Sequence, residues 1–133
     1  MSVTKDLHNQ ISISTAIALT AVADGEDVAG TAIDRQGSEG LELIFQVGAY
    51  TDGSVTPLIE ESDDNSTFTA VADADLTNTE ASAVLSAAGV SKIGYIGAKR
   101  YVKASAVTAA GSTLSVGATA IKFGLRLQGD VNP

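Results

Sequence analysis

The feature of this sequence that most constrains its fold is an alternation of apolar and polar residues with a period of two. Successive side chains of a β-strand point to opposite faces of a sheet, so such a run buries one face and exposes the other. Four stretches show the pattern, and each supplies an apolar set for a buried face. These sets are Ile11, Ile13, Ile17 and Leu19; Leu41, Leu43, Phe45 and Val47; Val102, Ala104 and Ala106; and Ile121, Phe123, Leu125 and Leu127.

Turn-forming segments separate the alternating runs. Gly, Asp, Asn and Ser are concentrated at 23–27, 35–40, 51–54, 61–66 and 109–111, and these residue types favour tight turns. Short strands at this spacing predict an all-β fold, an antiparallel β-sandwich that is jelly-roll-like and has at most one short helix. That helix would lie within 73–89, with Asp75 as its cap. We expect residues 1–10 to form an N-terminal arm and residues 11–133 a single β-sandwich domain.

The formal charge of −8 is unevenly distributed along the chain. Residues 1–90 contain fifteen acidic and two basic side chains, whereas residues 91–133 contain one acidic and six basic. An acidic chain lacks the broad cationic surface that nucleic-acid binding needs, so no nucleic-acid partner is expected. Three interpretations of the asymmetry remain open: the two halves attract each other, copies associate with opposite charges in contact, or strands from both halves interleave and the charges mix within one domain.

The residue types available exclude several kinds of chemistry. The chain contains no Cys and a single His, His8, so disulfides, thiolate metal sites and a Cys nucleophile are excluded. The N-terminus has no apolar signal core, and no apolar run approaches the roughly 20 residues of a membrane span. We therefore expect no membrane partner, no enzymatic activity, no cofactor, and no catalytic, cofactor-binding or metal-binding residues.

The acidic stretch LIEESDDNSTFTAV (58–71) allows three interpretations. A calcium loop of the EF-hand type counted from Asp63 needs glycine at its sixth position and glutamate at its twelfth, where this chain has Phe68 and Ala74. An acid/base pair needs a protected pocket, whereas a polar turn keeps its carboxylates ionised. The stretch is therefore predicted to be a hairpin connection, with a loose cation site as the alternative. The double substitution Asp63→Asn with Asp64→Asn should then leave folding nearly unchanged.

The stretch IGYIGAKRYVKA (93–104) contains the pattern GxxG followed by two cations. A phosphate-binding P-loop needs GxxxxGK[ST] between a strand and a helix, whereas a strand follows here. The stretch predicts a glycine-containing turn and then a strand that carries cations on its outer face. Tyr95 and Tyr101 are expected to cover a sheet edge or to lie in an interface.

Several segments together resemble a family of small virion proteins encoded near the major capsid gene of tailed bacteriophages. They are KDLHN (5–9), QG (36–37) before LELIFQVG, TDGSVTP followed by LIEESDDNSTFTAV, and KIGYIGAKRYVKA (92–104). The resemblance implies a head decoration (capsid cement) protein: a β-rich accessory, often a trimer, that binds the outer surface of the capsid and stabilises its lattice. The implied partner is the major capsid protein, and the implied location is the virion after synthesis in the host cytoplasm.

Two parts of the chain are candidates for contact with the capsid or another partner. One is the N-terminal arm, with Val3, Lys5, Asp6, Leu7 and His8; the other is the cationic strand, with Lys99, Arg100 and Lys103. The arm is the preferred anchor, because an extended segment gains backbone hydrogen bonds along a partner's strand edge, whereas exposed ion pairs contribute little.

Two alternative functions remain open. One is another phage structural component, such as a tail-tube, head–tail joining or fibre-associated β domain. The other is a carbohydrate-binding β-sandwich module, which usually displays an aromatic platform. Three Tyr, three Phe and no Trp disfavour that module.

Overall fold

The computed structural model describes residues 7–124, which form two four-stranded antiparallel sheets. The strands are β1 (Ile11–Val22), β2 (Val28–Asp34), β3 (Gly40–Asp52), β4 (Val55–Ser62), β5 (Thr69–Ala70), β6 (Gly89–Tyr95), β7 (Tyr101–Thr108) and β8 (Thr113–Phe123). The predicted all-β sandwich is confirmed. The segment 73–89 contains two 3-10 turns, Asp73–Asp75 and Ala81–Ala83, and Asp75 ends the first of them instead of capping a helix.

The strand order is that of a jelly roll. Sheet A has the order β1-β8-β3-β6, and sheet B has the order β2-β7-β4-β5. The antiparallel pairs β1·β8, β2·β7, β3·β6 and β4·β5 are nested one inside the next along the chain, which is how a long hairpin rolls into two sheets. Since β8 lies between β1 and β3, and β7 between β2 and β4, the acidic and basic parts of the chain interleave within one domain.

The core lies between the sheets and confirms two of the predicted alternations. In β3, the side chains of Leu41, Leu43, Phe45 and Val47 are at most 1% exposed. In β7, Val102, Ala104 and Ala106 are fully buried. These apolar sets face the opposite sheet, as the period of two requires.

The predicted buried face of β8 is wrong by one residue. The strand begins at Thr113 and buries its even-numbered positions, which pair with the buried positions of β3. Ile121 and Phe123 therefore point outward, and Phe123 is 42% exposed. Because the side-chain period is two, a shift of one residue exchanges the faces of a whole strand. Leu125 and Leu127 lie outside the described residues.

In β1, an irregularity interrupts the predicted alternation. Register shifts on both sides of Ile17 place Ala16 and Ile17 successively in the core. Ile13 and Leu19, predicted to be buried, are instead 62% and 78% exposed. Gly30 of β2 lies against this bulge, because a Cβ atom there would stand 2.4 Å from the carbonyl oxygen of Ala16. Such a bulge resets the alternation without a sequence signal of its own.

The segment 71–88 covers one side of the sandwich. Val55 of β4 exchanges backbone hydrogen bonds of 2.8 and 2.9 Å with Leu85. The Glu80 carboxylate accepts a hydrogen bond from the Ile59 amide at 2.6 Å. The Thr77 amide donates to a carbonyl of β6 at 2.9 Å. These contacts satisfy backbone groups at the edges of both sheets. The opposite side is formed by β1 and β2, which are also edge strands.

Candidate functional site

The turns gather at two ends of the sandwich. One end, called here the terminal end, comprises residues 7–10, 35–39, 63–68, 96–100 and Gly124. The other, called here the acidic end, comprises the turns 23–27, 53–54 and 109–112 together with Asp52. Four of the predicted contact residues, Leu7, His8, Lys99 and Arg100, belong to the terminal end. Lys103 lies in β7 on the outer face of sheet B, and Val3, Lys5 and Asp6 lie outside the described residues.

Tyr95 is the centre of the terminal end. Its side chain is only 1% exposed, so the expectation that it covers a sheet edge is wrong. The hydroxyl donates a hydrogen bond to Oε1 of Glu61 at 2.7 Å and accepts one from the amide of Lys99 at 3.0 Å. Burial, together with the hydrogen bond to Glu61, raises the pKa of Tyr95 to about 12. The ring thereby joins β4, β6 and the turn before β7.

Arg35 holds the same turn from the other side. Its Nε donates to the carbonyl of Lys99 at 2.8 Å, and its Nη2 donates to the carbonyl of Gly97 at 3.2 Å. The guanidinium carbon lies 4.9 Å from the ring centroid of Tyr95. A Cβ atom on Gly97 would stand 2.5 Å from the Tyr95 hydroxyl oxygen. The second glycine of GxxG therefore serves close packing within the predicted turn.

The three predicted cations each have an acidic partner within the chain. The pairs are Lys99 with Asp63 at 2.7 Å, Arg100 with Asp34 at 2.8 Å, and Lys103 with Glu60 at 3.9 Å. Arg100 donates to both carboxylate oxygens of Asp34, and this hydrogen bonding lowers the pKa of Asp34 to about 2. The prediction of a cationic strand is wrong for Lys99 and Arg100, which precede β7 and lie in the turn, so only Lys103 is in the strand. The three cations form an ion-paired surface, and its contact with a partner stays a prediction.

The acidic stretch forms the predicted hairpin connection between β4 and β5. Oδ1 of Asp64 accepts hydrogen bonds from the amides of Thr67 and Ser66 and from the hydroxyl of Ser62. These hydrogen bonds lower the pKa of Asp64. Asn65 adopts a positive φ of 61°, which asparagine tolerates in turns. Within residues 7–124, no group of three or more His, Cys, Asp or Glu side chains is arranged to hold a metal ion.

The acidic end is joined by a buried serine. Ser112 is fully buried; its hydroxyl donates to the carbonyl of Ala109 at 2.6 Å and accepts from the amide of Ser54 at 3.2 Å. Its carbonyl accepts a hydrogen bond from the amide of Gly25 at 3.0 Å. Three separate turns thereby form one packed unit. Its carboxylates are those of Asp24, Glu26, Asp27 and Asp52, and it contains no Lys or Arg.

Sequence reasoning missed the side chains that organise these ends. Arg35 and Ser112 had no assigned role, and Tyr95 was assigned to a sheet edge or an interface, because the partners of these residues lie far away along the chain. The one local signal was the glycine two positions after Tyr95, where the backbone comes close to the ring.

Within the described part of the chain, no helix is long and apolar enough to cross a membrane.

The fold defines the chain as a β-sandwich with jelly-roll topology, and solved structures with this kind of fold are known. The chain matches no protein-family model and no curated protein sequence. It is similar to the PBSX exported protein XepA, with a TM-score of 0.57 and 18% identity over 86% of this chain and 37% of XepA. The chain thus spans little more than a third of XepA's length, and this likeness concerns the fold alone.

Two further structures are less similar. The SPBc2 prophage-derived protein YomS has a TM-score of 0.45 and 14% identity, over 84% of this chain and 91% of YomS. A structure of infectious bursal disease virus, Gx strain, has a TM-score of 0.45 and 17% identity, over 86% of this chain and 32% of the viral chain. These two similarities are too low to carry an argument.

Proposed function

We propose that this chain is a structural virion protein of a tailed bacteriophage, a head decoration protein that binds the outer surface of the capsid and stabilises the lattice. The observation that carries the proposal is where the segments resembling that family lie in the fold. TDGSVTP (51–57) begins at the acidic end, whereas the other four segments, although separated in sequence, each reach the terminal end. They are KDLHN, of which residues 7–9 are described, QG at 36–37, LIEESDDNSTFTAV and KIGYIGAKRYVKA.

Contacts between these segments support the proposal. Tyr95 and Glu61 share a hydrogen bond of 2.7 Å, and Lys99 and Asp63 form an ion pair of 2.7 Å. Arg35, next to QG, donates to the carbonyl of Lys99. A surface held by such contacts is already ordered before it meets a partner, so binding costs less conformational entropy.

The mechanism requires contact area and many copies rather than a reactive group. Each copy would bridge neighbouring capsid subunits with a modest binding energy, and a lattice of bound copies would add these energies together. The partner is the major capsid protein, and copies are expected to associate with one another, as trimers in the family that the sequence resembles. No cofactor is needed for this action.

The geometry supports the N-terminal arm as the main anchor. Leu7 is 64% exposed and His8 is also exposed at the terminal end. Lys99 and Arg100 already have carboxylate partners within the chain, so an ion pair with a neighbour would have to replace an existing one. An N-terminal arm can instead add backbone hydrogen bonds along a partner's strand.

The test is the deletion of residues 2–9, followed by addition of the protein to undecorated phage shells. We expect circular dichroism and thermal unfolding to be unchanged, and the affinity for shells, measured by co-sedimentation, to fall by about tenfold or more. The control carries Lys99→Gln and Arg100→Gln, which remove both charges without placing like charges together. It should decorate shells nearly as well as the full chain.

Two outcomes would contradict the proposal at different levels. If the truncated chain binds normally and the Gln variant does not, the anchor is the ion-paired turn that contains Lys99 and Arg100. If the full chain does not bind shells and electron microscopy instead locates it in the tail or at the head–tail joint, the decoration function is wrong.

A further inference from the structure

The outer face of sheet A carries four of the eight large hydrophobic residues that are exposed in the described part of the chain, Ile13, Leu19, Val90 and Phe123. The pairing register places one side chain from each strand in rows across this face, such as Ile13, Ile121 and Glu42. The outward-facing residues within 11–19, 40–46, 90–94 and 117–123 are called face A here. Its large apolar members are Ile11, Ile13, Leu19, Ile44, Val90, Ile121 and Phe123.

Exposure distinguishes face A from an ordinary sheet surface. Ile13, Leu19 and Val90 are 62%, 78% and 60% exposed. On the outer face of sheet B, Lys103 of β7 lies 4.6 Å from the ring centroid of Phe68 and pairs with Glu60, and Val107 of the same strand is 37% exposed. A row with Thr15, Thr119 and Lys92 separates the apolar residues of face A, and Ile44 lies between Thr119 and Lys92 in that row. Several exposed apolar residues on one sheet face indicate a contact with another macromolecule.

Charge indicates what that macromolecule is. The charged side chains of face A are Glu42 and Lys92, so the face is neutral although the chain carries −8. Burial raises the pKa of Glu42 and the nearby Lys92 opposes that rise. Two copies of an acidic chain repel each other where their carboxylates meet, as at the acidic end, but not across a neutral apolar face.

The shape of face A suits a second copy. Gly117 has no side chain, and it lines a shallow groove of about 270 Å³ together with Leu19, Gln46 and Thr119. Projecting apolar side chains and a recess therefore lie on the same face. A surface that carries both can complement another copy of itself.

The size of face A predicts a weak contact. Four strands spaced about 4.8 Å apart, each about seven residues long, cover about 450 Å² per copy, or about 900 Å² for two facing copies. Stable specific complexes usually bury about 1,200–2,000 Å², and smaller contacts are transient. Such a contact becomes effective when neighbouring binding sites already hold two copies close together.

We propose that face A is the surface through which one copy of this chain packs against a second copy. The inference deepens the proposed function, on which it rests for the expectation that copies associate. A face-to-face contact of this kind joins copies in pairs and does not itself close the trimer that the resemblance implies. The inference identifies the surface through which two copies meet, and it states that this contact is weak in solution.

The first experiment measures self-association of the full chain by sedimentation velocity up to about 1 mM, the range of weak contacts. The face variant carries Ile13→Glu and Val90→Glu. The matched control carries Ile96→Glu and Val84→Glu, since Ile96 and Val84 are 61% and 40% exposed but lie outside face A. We expect the dissociation constant to rise by about tenfold or more in the face variant and to stay unchanged in the control.

A second variant, Ile13→Thr with Val90→Thr, protects the test against misfolding, because threonine keeps a high β-propensity. Its thermal unfolding should match that of the original chain while its association weakens. An absence of association at about 1 mM, or equal weakening in the face variant and the control, would overturn the inference.

Cross-linking on shells separates this inference from the proposed function. The chain has no Cys, so Thr119→Cys on face A and Ser105→Cys on the outer face of sheet B each introduce a single thiol. With a short bismaleimide reagent, Thr119→Cys should give cross-linked pairs on decorated shells and Ser105→Cys should not. Decoration without Thr119→Cys pairs would reject the inference and keep the function, whereas pairs in solution without decoration would reject the function alone.

Discussion

The two ends of the sandwich are held together by different chemistry. At the acidic end, glycine turns and the buried hydroxyl of Ser112 bring backbone segments into direct contact. At the terminal end, the long side chains of Arg35, Tyr95 and Lys99 span the gaps between turns. The difference shows that the acidic end is closely packed at Gly25 and Gly53, whereas the terminal end is held by separable hydrogen bonds between side chains and turns.

This difference also bears on function. A packed backbone unit with carboxylates and no cation offers a partner little chemical variety, and it repels other acidic copies. The terminal end offers donors, acceptors and both charges on ordered turns, which is the variety that specific recognition uses. The comparison therefore agrees with the proposed anchor, the N-terminal arm, whose described residues 7–10 lie at the terminal end.

The largest predicted effect is at the acidic end. Gly25 has a φ of 74°, and a Cβ atom there would stand 2.4 Å from the carbonyl oxygen of Ala109. Gly25→Ala therefore combines left-handed strain with overpacking against backbone, and we expect a loss of about 2–5 kcal/mol in the free energy of unfolding. This loss in the free energy of unfolding can be measured by urea denaturation.

Gly111 provides the matched control at the same end. Its φ is 79°, but a Cβ atom there would meet nothing within 4 Å. Gly111→Ala should show only the cost of the backbone conformation, about 1–2 kcal/mol. If both variants lose the same stability, the acidic end is not closely packed and the comparison between the ends fails.

The second prediction concerns the hydroxyl of Tyr95. Tyr95→Phe leaves the amide of Lys99 and the carboxylate of Glu61 without their hydrogen-bond partner, so we expect a loss of about 1–3 kcal/mol in the free energy of unfolding. Tyr50→Phe is the control, because the Tyr50 hydroxyl donates to the carbonyl of Gly53 from a half-buried position. Tyr50→Phe should lower the free energy of unfolding by only about 0.5–1.5 kcal/mol.

The pH dependence of stability checks the same hydroxyl independently. The pKa of Tyr95 is about 12 in the folded chain, against an ordinary value of 10.0. Its un-ionised form is favoured by folding, so its contribution is present below pH 10 and is lost as the pH rises through about 12. The stability of the original chain should therefore fall more steeply over this range than that of Tyr95→Phe. Parallel curves would show that the hydroxyl is not buried as described.

The sequence predicts the strands better than it predicts which of their faces are buried. Alternation identified the buried side of β3 and β7 because both strands are regular over their central residues. It was wrong in β1, where the bulge beside Ile17 resets the period, and in β8, where small residues such as Ala118 and Ala120 fill the core. Ile121 and Phe123 were predicted to be buried because they are large and apolar, whereas pairing with β3 places the small residues in the core.

The candidate site was predictable only in its local parts. The turn at 61–66 follows from Asp and Asn chemistry, which acts between neighbours in sequence. The ion pair of Arg100 with Asp34 and the hydrogen bond of Tyr95 with Glu61 join strands that meet only after the chain has rolled into two sheets. Neither sequence spacing nor residue type indicates such partners.

A smaller effect is predicted for the ion pair between Arg100 and Asp34. Both side chains are 45% exposed, so solvent screens the attraction and Arg100→Gln should cost less stability than Tyr95→Phe.

The pKa of Asp34 is lowered from 3.8 to about 2. Its contribution is therefore present above pH 3.8 and is lost as the pH falls through about 2. Acid unfolding should show this loss in the original chain and a weaker one in Arg100→Gln, and 1 M salt should reduce the difference. A difference that is independent of salt would contradict the exposed, screened pair described here.

The smallest effect is predicted for the acidic turn, where the double variant Asp63→Asn with Asp64→Asn tests whether the negative charge itself matters. After Asp64→Asn, the side-chain amide oxygen can still accept from the amides of Ser66 and Thr67, which Oδ1 of Asp64 contacts at 2.9 and 3.0 Å, so the turn keeps its shape. The ion pair of Asp63 with Lys99 is lost, but it is exposed and stabilises little. Thermal unfolding should therefore be nearly unchanged, and Ca²⁺ or Mg²⁺ should not raise the melting temperature of either chain.

Asp64→Ala, which removes the acceptor, should destabilise more than the double variant, because the two amides lose their partner. A saturable rise in melting temperature with Ca²⁺ that the double variant abolishes would instead make the terminal end a cation site.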